Sequence, residues 1–172
     1  MTVNTFTHNE KTVDIMRDDH GFSPRGNDNL GTILYSSSRY ILGDKCVSNE
    51  EITEILKRKD VISLPVYAYI HSGTTINTTG FSCPWDSGQC GIIYIEKSKV
   101  RKEFGKKRIS KQLAEKMETY LRNEIAEYDQ YLTGDVYGYI VKDAAGEELD
   151  SCWGFYGQEY CEEEAKRALE AA

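Results

Sequence analysis

Between two β-patterned stretches the chain runs Gly80-Phe81-Ser82-Cys83-Pro84-Trp85-Asp86-Ser87-Gly88-Gln89-Cys90-Gly91. Thiols, a carboxylate, hydroxyls, an amide and an indole are set among glycines, with few aliphatic residues. Groups that donate and accept hydrogen bonds beside an aromatic are the composition of a ligand pocket. His71 ends the preceding strand pattern, and Trp153 and Tyr156 lie in a similar stretch, Asp150-Ser151-Cys152-Trp153-Gly154-Phe155-Tyr156-Gly157. The candidate binding residues are therefore His71, Trp85, Asp86, Ser87, Gln89, Trp153 and Tyr156. Three chemistries compete for the loop. Cys83 or Cys90 with His71 and Asp86 has the parts of a nucleophile, a base and an orienting carboxylate, as a cysteine hydrolase needs; the spacing fits no catalytic signature, and no catalytic residue is assigned. The two cysteines with His71 could hold zinc, but Cys-x6-Cys is wider than the usual two-to-four-residue separation, so no metal or cofactor is assigned. The third reading is recognition or packing, with Trp85 as anchor or core side chain and Asp86 and Ser87 capping turns.

Tyrosine stands out, at 12 residues against 5 Phe and 2 Trp. Tyr67, Tyr69, Tyr94, Tyr137 and Tyr139 fall on alternating strand positions. An aromatic sheet face can stack bases, but single-strand binders carry a basic groove and this chain has a net charge of −7. The expectation is instead a face covered by the long helix, and direct nucleic-acid binding is not expected. The charge is uneven. Residues 97–111 hold eight basic side chains and one acid, leaving 13 basic and 27 acidic residues elsewhere, out of 21 and 28 in all. A basic run can hold phosphates or be a solvated helix face. The acidic body offers a docking surface or a phosphate mimic through Glu147, Glu148, Asp150, Glu159, Glu162, Glu163, Glu164 and Glu170, or serves solubility alone.

The elements that must position these groups follow from period and punctuation. Residues 1–25 read as a weakly structured N-terminal segment, with a short strand possible over Thr12–Met16, and residues 26–172 as a single α+β domain. Ser48 and Glu51 have capping-box spacing and start a helix over about 48–59. Val61 to His71 alternates, with Ile62, Leu64, Val66, Ala68 and Ile70 on one face; Pro65 asks for an edge position or a bulge. Cys90 to Glu96 is the next strand. Ser98 to Phe104 is a short helix ending at Gly105, and Ser110 begins the longest, about 110–132, with one apolar stripe. Val136–Val141 and Leu149–Phe155 bracket a hairpin turn, and Gln158 to Ala172 is an acidic helix. The sheet is mainly antiparallel, and no phosphate-binding glycine motif follows a strand.

No apolar run reaches the ~20 residues a membrane span needs, and Met1 to Glu10 has neither a basic nor an apolar export region. The five cysteines then read as reduced thiols in a cytosol.

The strings Phe81-Ser82-Cys83-Pro84-Trp85-Asp86-Ser87-Gly88-Gln89, Asp129-Gln130-Tyr131-Leu132-Thr133-Gly134-Asp135-Val136-Tyr137-Gly138 and Asp150–Gly157 resemble those of a family of small phage-encoded accessory proteins. The resemblance runs from about residue 26 to 165. Cys90 departs from it, standing where relatives carry an aliphatic residue, which weakens any mechanism needing both Cys83 and Cys90. The resemblance implies action in the cytoplasm of a host bacterium. By analogy it implies a non-enzymatic inhibitor that binds a host defence protein. The alternatives are a sponge for a nucleotide-like signal, with Lys106-Lys107-Arg108 holding its phosphates, and the cysteine hydrolase. An exposed edge strand would also allow a homo-oligomer.

Overall fold

The computed structural model describes residues 1–172 and has α+β architecture. In chain order the elements are β1 (Thr2–His8), β2 (Lys11–Arg17), β3 (Thr32–Tyr35), β4 (Lys45–Cys46), α1 (Asn49–Lys57), β5 (Val61–Ile70), β6 (Thr74–Asn77), β7 (Ser87–Glu96), α2 (Lys97–Glu103), α3 (Lys111–Thr133), β8 (Val136–Lys142), β9 (Glu148–Tyr156) and α4 (Gln158–Ala171). They form two sheets, ordered β1-β2-β8-β9 and β4-β3-β7-β5-β6. The chain divides into two compact units, one of Met1–Pro24 with Gln130–Ala172, the other Arg25–Asp129. The expected single domain over 26–172 is thus replaced by two units, because the second sheet is complete within one continuous stretch and the first needs both ends of the chain.

The N-terminal segment is not weakly structured. β1 and β2 form an antiparallel hairpin, and β2 pairs with β8 from Thr12↔Lys142 to Arg17↔Tyr137. Val13 and Ile15 are fully buried, at 0 % exposure. A short alternating run between turn residues is weak as a local signal, but a central sheet position supplies its pairing from outside. Helix α4 covers one face of this sheet: Cys161, Ala165 and Leu169 pack on Val13, Ile15, Tyr137, Tyr139 and Val141. The α4 stripe at i, i+4, i+8 is what a single helix laid on a sheet requires. Tyr137 and Tyr139 are therefore covered by the C-terminal acidic helix and not, as expected, by the long one.

In the second unit, β5 and β7 pair over their whole length, from Val61↔Glu96 to Tyr69↔Ser87. Pro65 sits on β5, which lies inside the strand order. However, β6 reaches only Tyr67 to Ile70, so the other side of Pro65 has no strand partner and its missing N–H costs no ladder bond. A bulge follows: Val66 pairs with Gly91 and Tyr67 with Gln89, leaving Cys90 as the extra residue. Ser48 caps α1 through the reciprocal bonds to Glu51 that the sequence spacing calls for. Ile52 of α1 packs on Leu34, Val47 and Ile92. The α3 side chains Met117, Leu121, Ile125 and Tyr128 are buried. Leu121 and Ile93 both close on Gly31, which puts α3 on the opposite, aliphatic face of the sheet. A Cβ on Gly31 would lie 2.5 Å from Leu121 Cδ2 and 2.9 Å from Ile93 Cδ1, so a larger residue here would have to push those side chains aside.

Arg25 holds the start of this unit. Its side chain is 8 % exposed, and its guanidinium donates to both Asp44 oxygens (2.9 and 2.7 Å), to Glu124 (2.9 Å) and to the Gly31 carbonyl (2.8 Å). Glu124 on α3 accepts in turn from the Leu30 and Gly31 N–H groups (2.9 and 3.1 Å), and Asp44 from Ile33 N–H (2.7 Å). Burial disfavours the charge, but the hydrogen bonds to Asp44 and Glu124 outweigh it and hold the Arg25 pKa above the ordinary arginine value.

Candidate functional site

The loop that leads into β7 is an ordered turn. The Ser87 hydroxyl donates to the Cys83 carbonyl, and the Asp86 carbonyl accepts from Ile70 N–H at 2.9 Å. These bonds fix Pro84, Trp85 and Asp86 as a projection at the end of the β5–β7 pair. Trp85 is 91 % exposed, so it is not the core side chain that the packing reading required. An indole held out by an internally bonded turn keeps its apolar area in water.

Behind the turn lies an aromatic surface on the sheet face opposite α3. Tyr69 stacks with His71 (ring centroids 6.3 Å apart) and meets Phe81 at 5.8 Å. The Tyr67 ring lies 3.8 Å from where a Cβ on Gly80 would stand. Tyr67, Tyr69 and Phe81 are half-buried, and His71 is exposed. Of the seven candidate binding residues, five (His71, Trp85, Asp86, Ser87 and Gln89) thus lie in the second unit around one end of one strand pair. Trp153 and Tyr156 lie on β9, in the other sheet and the other unit. The β8–β9 hairpin does not join the β5–β7 strands: β8 pairs with β2.

The groups of the catalytic reading are separated in their bonding. Cys83 Sγ is 4.0 Å from Asp86 Oδ2, while the His71 ring stacks on Tyr69 and makes no hydrogen bond to either. Cys90 sits in the bulge, its thiol pointing to the Val66 carbonyl at 3.5 Å, and burial pushes its pKa up to about 11. A thiol so raised is protonated at neutral pH and a poor nucleophile. No cluster of three or more His, Cys, Asp or Glu side chains is placed to hold a metal ion.

In the first unit, two of the three motif stretches meet. Gln130 and Asp135 from one, and Tyr156 and Gly157 from the other, line a cleft of about 710 Å³ beside the start of α4. Gly157 N–H donates to the Asp135 carbonyl (2.8 Å), and its φ of 89° is open only to glycine at low cost. The Tyr156 hydroxyl donates to the Phe22 carbonyl at 2.7 Å. The acidic candidates are dispersed and partly engaged: Glu162 accepts from Asn4 and Gln158, Glu164 pairs with Arg167, and Asp150 with the Tyr139 hydroxyl.

The chain matches no protein-family profile, no curated protein and no solved structure.

Proposed function

We propose that this protein is a non-enzymatic, phage-encoded inhibitor that binds a host defence protein in the bacterial cytoplasm through the Trp85 turn. The observation that carries the reading is the 91 % exposure of Trp85 on a turn whose own hydrogen bonds hold it in place. Trp is the residue type most enriched among binding hot spots, and a preordered turn loses little entropy when it docks. Tyr69, Phe81 and His71 continue the apolar surface behind it. The net charge of −7 favours a protein partner over a nucleic acid. The phage and defence parts of the proposal rest on the resemblance of the loop strings.

The test is affinity capture from bacterial lysate with the intact protein, followed by direct binding to the captured partner. Trp85→Ala should weaken the complex by more than about tenfold while leaving thermal unfolding unchanged. An undiminished complex would reject the turn as the docking element. Glu→Gln changes at Glu159, Glu163 and Glu170, all exposed on α4, address the acidic-surface version: loss of binding there, with Trp85→Ala silent, would move the interface to α4. The sponge for a nucleotide-like signal is one remaining alternative and a cysteine hydrolase the other. A Cys83→Ser variant with full biological effect removes the hydrolase.

A further inference from the structure

The basic run of residues 97–111 folds into α2, a short connection and the start of α3, and its side chains line a cleft of about 460 Å³. Lys97, Arg101, Lys107, Arg108 and Lys111 line it. Both ends of the connection are pinned. α2 ends in a Schellman motif: Lys106 N–H donates to the Arg101 carbonyl (3.0 Å) and Gly105 N–H to that of Lys102 (3.4 Å), with Gly105 at φ 59°. α3 begins at Ser110, whose hydroxyl accepts from Leu113 N–H at 3.1 Å. Val100 of α2 is fully buried, and Phe104 meets Tyr120 of α3 at 6.5 Å, so the two helices are held together from below the connection.

Two of the five cations have partners: Lys97 donates to the Lys59 carbonyl (2.7 Å), and Lys111 lies 3.8 Å from Glu115. Arg101, Lys107 and Arg108 make no ion pair and no side-chain hydrogen bond. Three like charges without ion-pair partners around one cleft repel one another, and the positive end of a 23-residue helix adds to the field. An anion with several charged oxygens would satisfy all of them, and guanidinium groups bind phosphate oxygens two at a time. We propose that the cleft between α2 and α3 binds a small ligand carrying two or more adjacent phosphate groups. Its volume is that of a small-molecule site, ~300–1,000 Å³. A nucleic acid fits less well, because its phosphate array would extend past the basic run over a chain whose remaining residues are strongly acidic. The site is separate from the Trp85 turn, so its test and that of the docking turn succeed or fail independently.

The experiment is calorimetric titration of the intact protein with inorganic triphosphate and with ATP, at low and raised salt. The expected result is saturable one-site binding that weakens with salt. It should fall by about tenfold or more in the triple variant Arg101→Gln, Lys107→Gln, Arg108→Gln. All three side chains are exposed, so unfolding should not change; the single variants Arg101→Gln and Arg108→Gln should each give a smaller loss. A control with the same change in charge at exposed positions elsewhere (Arg39→Gln, Lys45→Gln, Lys57→Gln) should keep binding. Absence of saturable binding by both probes would overturn the proposal, as would equal loss in the two triple variants. A single-stranded oligonucleotide that binds more tightly than either probe, and is lost in the cleft variant, would overturn the small-ligand assignment in favour of a nucleic acid.

Discussion

Trp153 packs on Gly138 across the β8–β9 pair: a Cβ on Gly138 would fall 2.2 Å from the indole Cε3 and 2.9 Å from the Cys152 carbonyl. The ring occupies the space a side chain would fill and covers the strand where glycine leaves its backbone bare. Gly138→Ala should therefore displace the indole and cost about 1–3 kcal/mol. In a Trp85→Phe background Trp153 is the remaining tryptophan, so its emission should shift to the red at the same time as the urea midpoint falls.

Arg25, Asp44 and Glu124 should behave as one unit. Glu124→Ala would remove one carboxylate from the 8 %-exposed Arg25 side chain and the acceptor of the Leu30 and Gly31 N–H groups. Breaking such a buried pair costs about 3–5 kcal/mol. Denaturant melts should show this loss, and hydrogen exchange should speed up at residues 30, 31 and 33 before it does in β8.

Thiol reactivity should divide four of the five cysteines by burial. Cys46 and Cys152 are exposed, whereas burial raises Cys161 to about 12 and Cys90 to about 11. Peptide mapping after brief alkylation at mildly alkaline pH should find Cys46 and Cys152 modified first, and Cys90 and Cys161 only on unfolding. Labelling of Cys90 as fast as Cys46 would contradict the bulge geometry.

Acid should weaken the first sheet through Asp14. Its hydrogen bond from Lys142 (2.8 Å), then that from Thr5, hold its pKa below the ordinary aspartate value. A depressed carboxylate contributes stability that is complete above the unfolded pKa, about 4, and is lost as pH falls through the folded value. The stability difference between the wild type and Asp14→Asn should be constant from neutrality to about pH 5, then shrink below about pH 4. It should not exceed about 1 kcal/mol, since the pair is partly solvated.

Local signals explain the elements that are legible in the sequence. The α1 capping box, the α3 stripe, the alternation of β5 and the glycine stop after α2 all act within a few residues, and each appears where its pattern stands. The hairpin of β1 and β2 was not legible because its stability comes from β8, far along the chain. The partition of tyrosines was misread for the same reason: two helices have apolar stripes that suit a sheet, and sequence does not say which stripe meets which sheet. At the candidate site, composition marked the Trp85 loop, but its exposure depends on the Ser87–Cys83 and Ile70–Asp86 bonds. The basic run was visible as a count; its cleft required the turn at Gly105 and the cap at Ser110.

The split composition of the first unit, Met1–Pro24 with Gln130–Ala172, sets an order of events on the ribosome. Residues 25–129 form a contiguous unit that can close while the rest is still being made. Throughout that interval β1 and β2 have left the ribosome without β8 to pair with or α4 to cover Val13 and Ile15. A lone two-stranded hairpin is marginal in water. Nascent chains stalled before β8 should therefore expose a sticky N-terminal ribbon beside a finished unit, and this is the stage at which a chaperone would find its substrate.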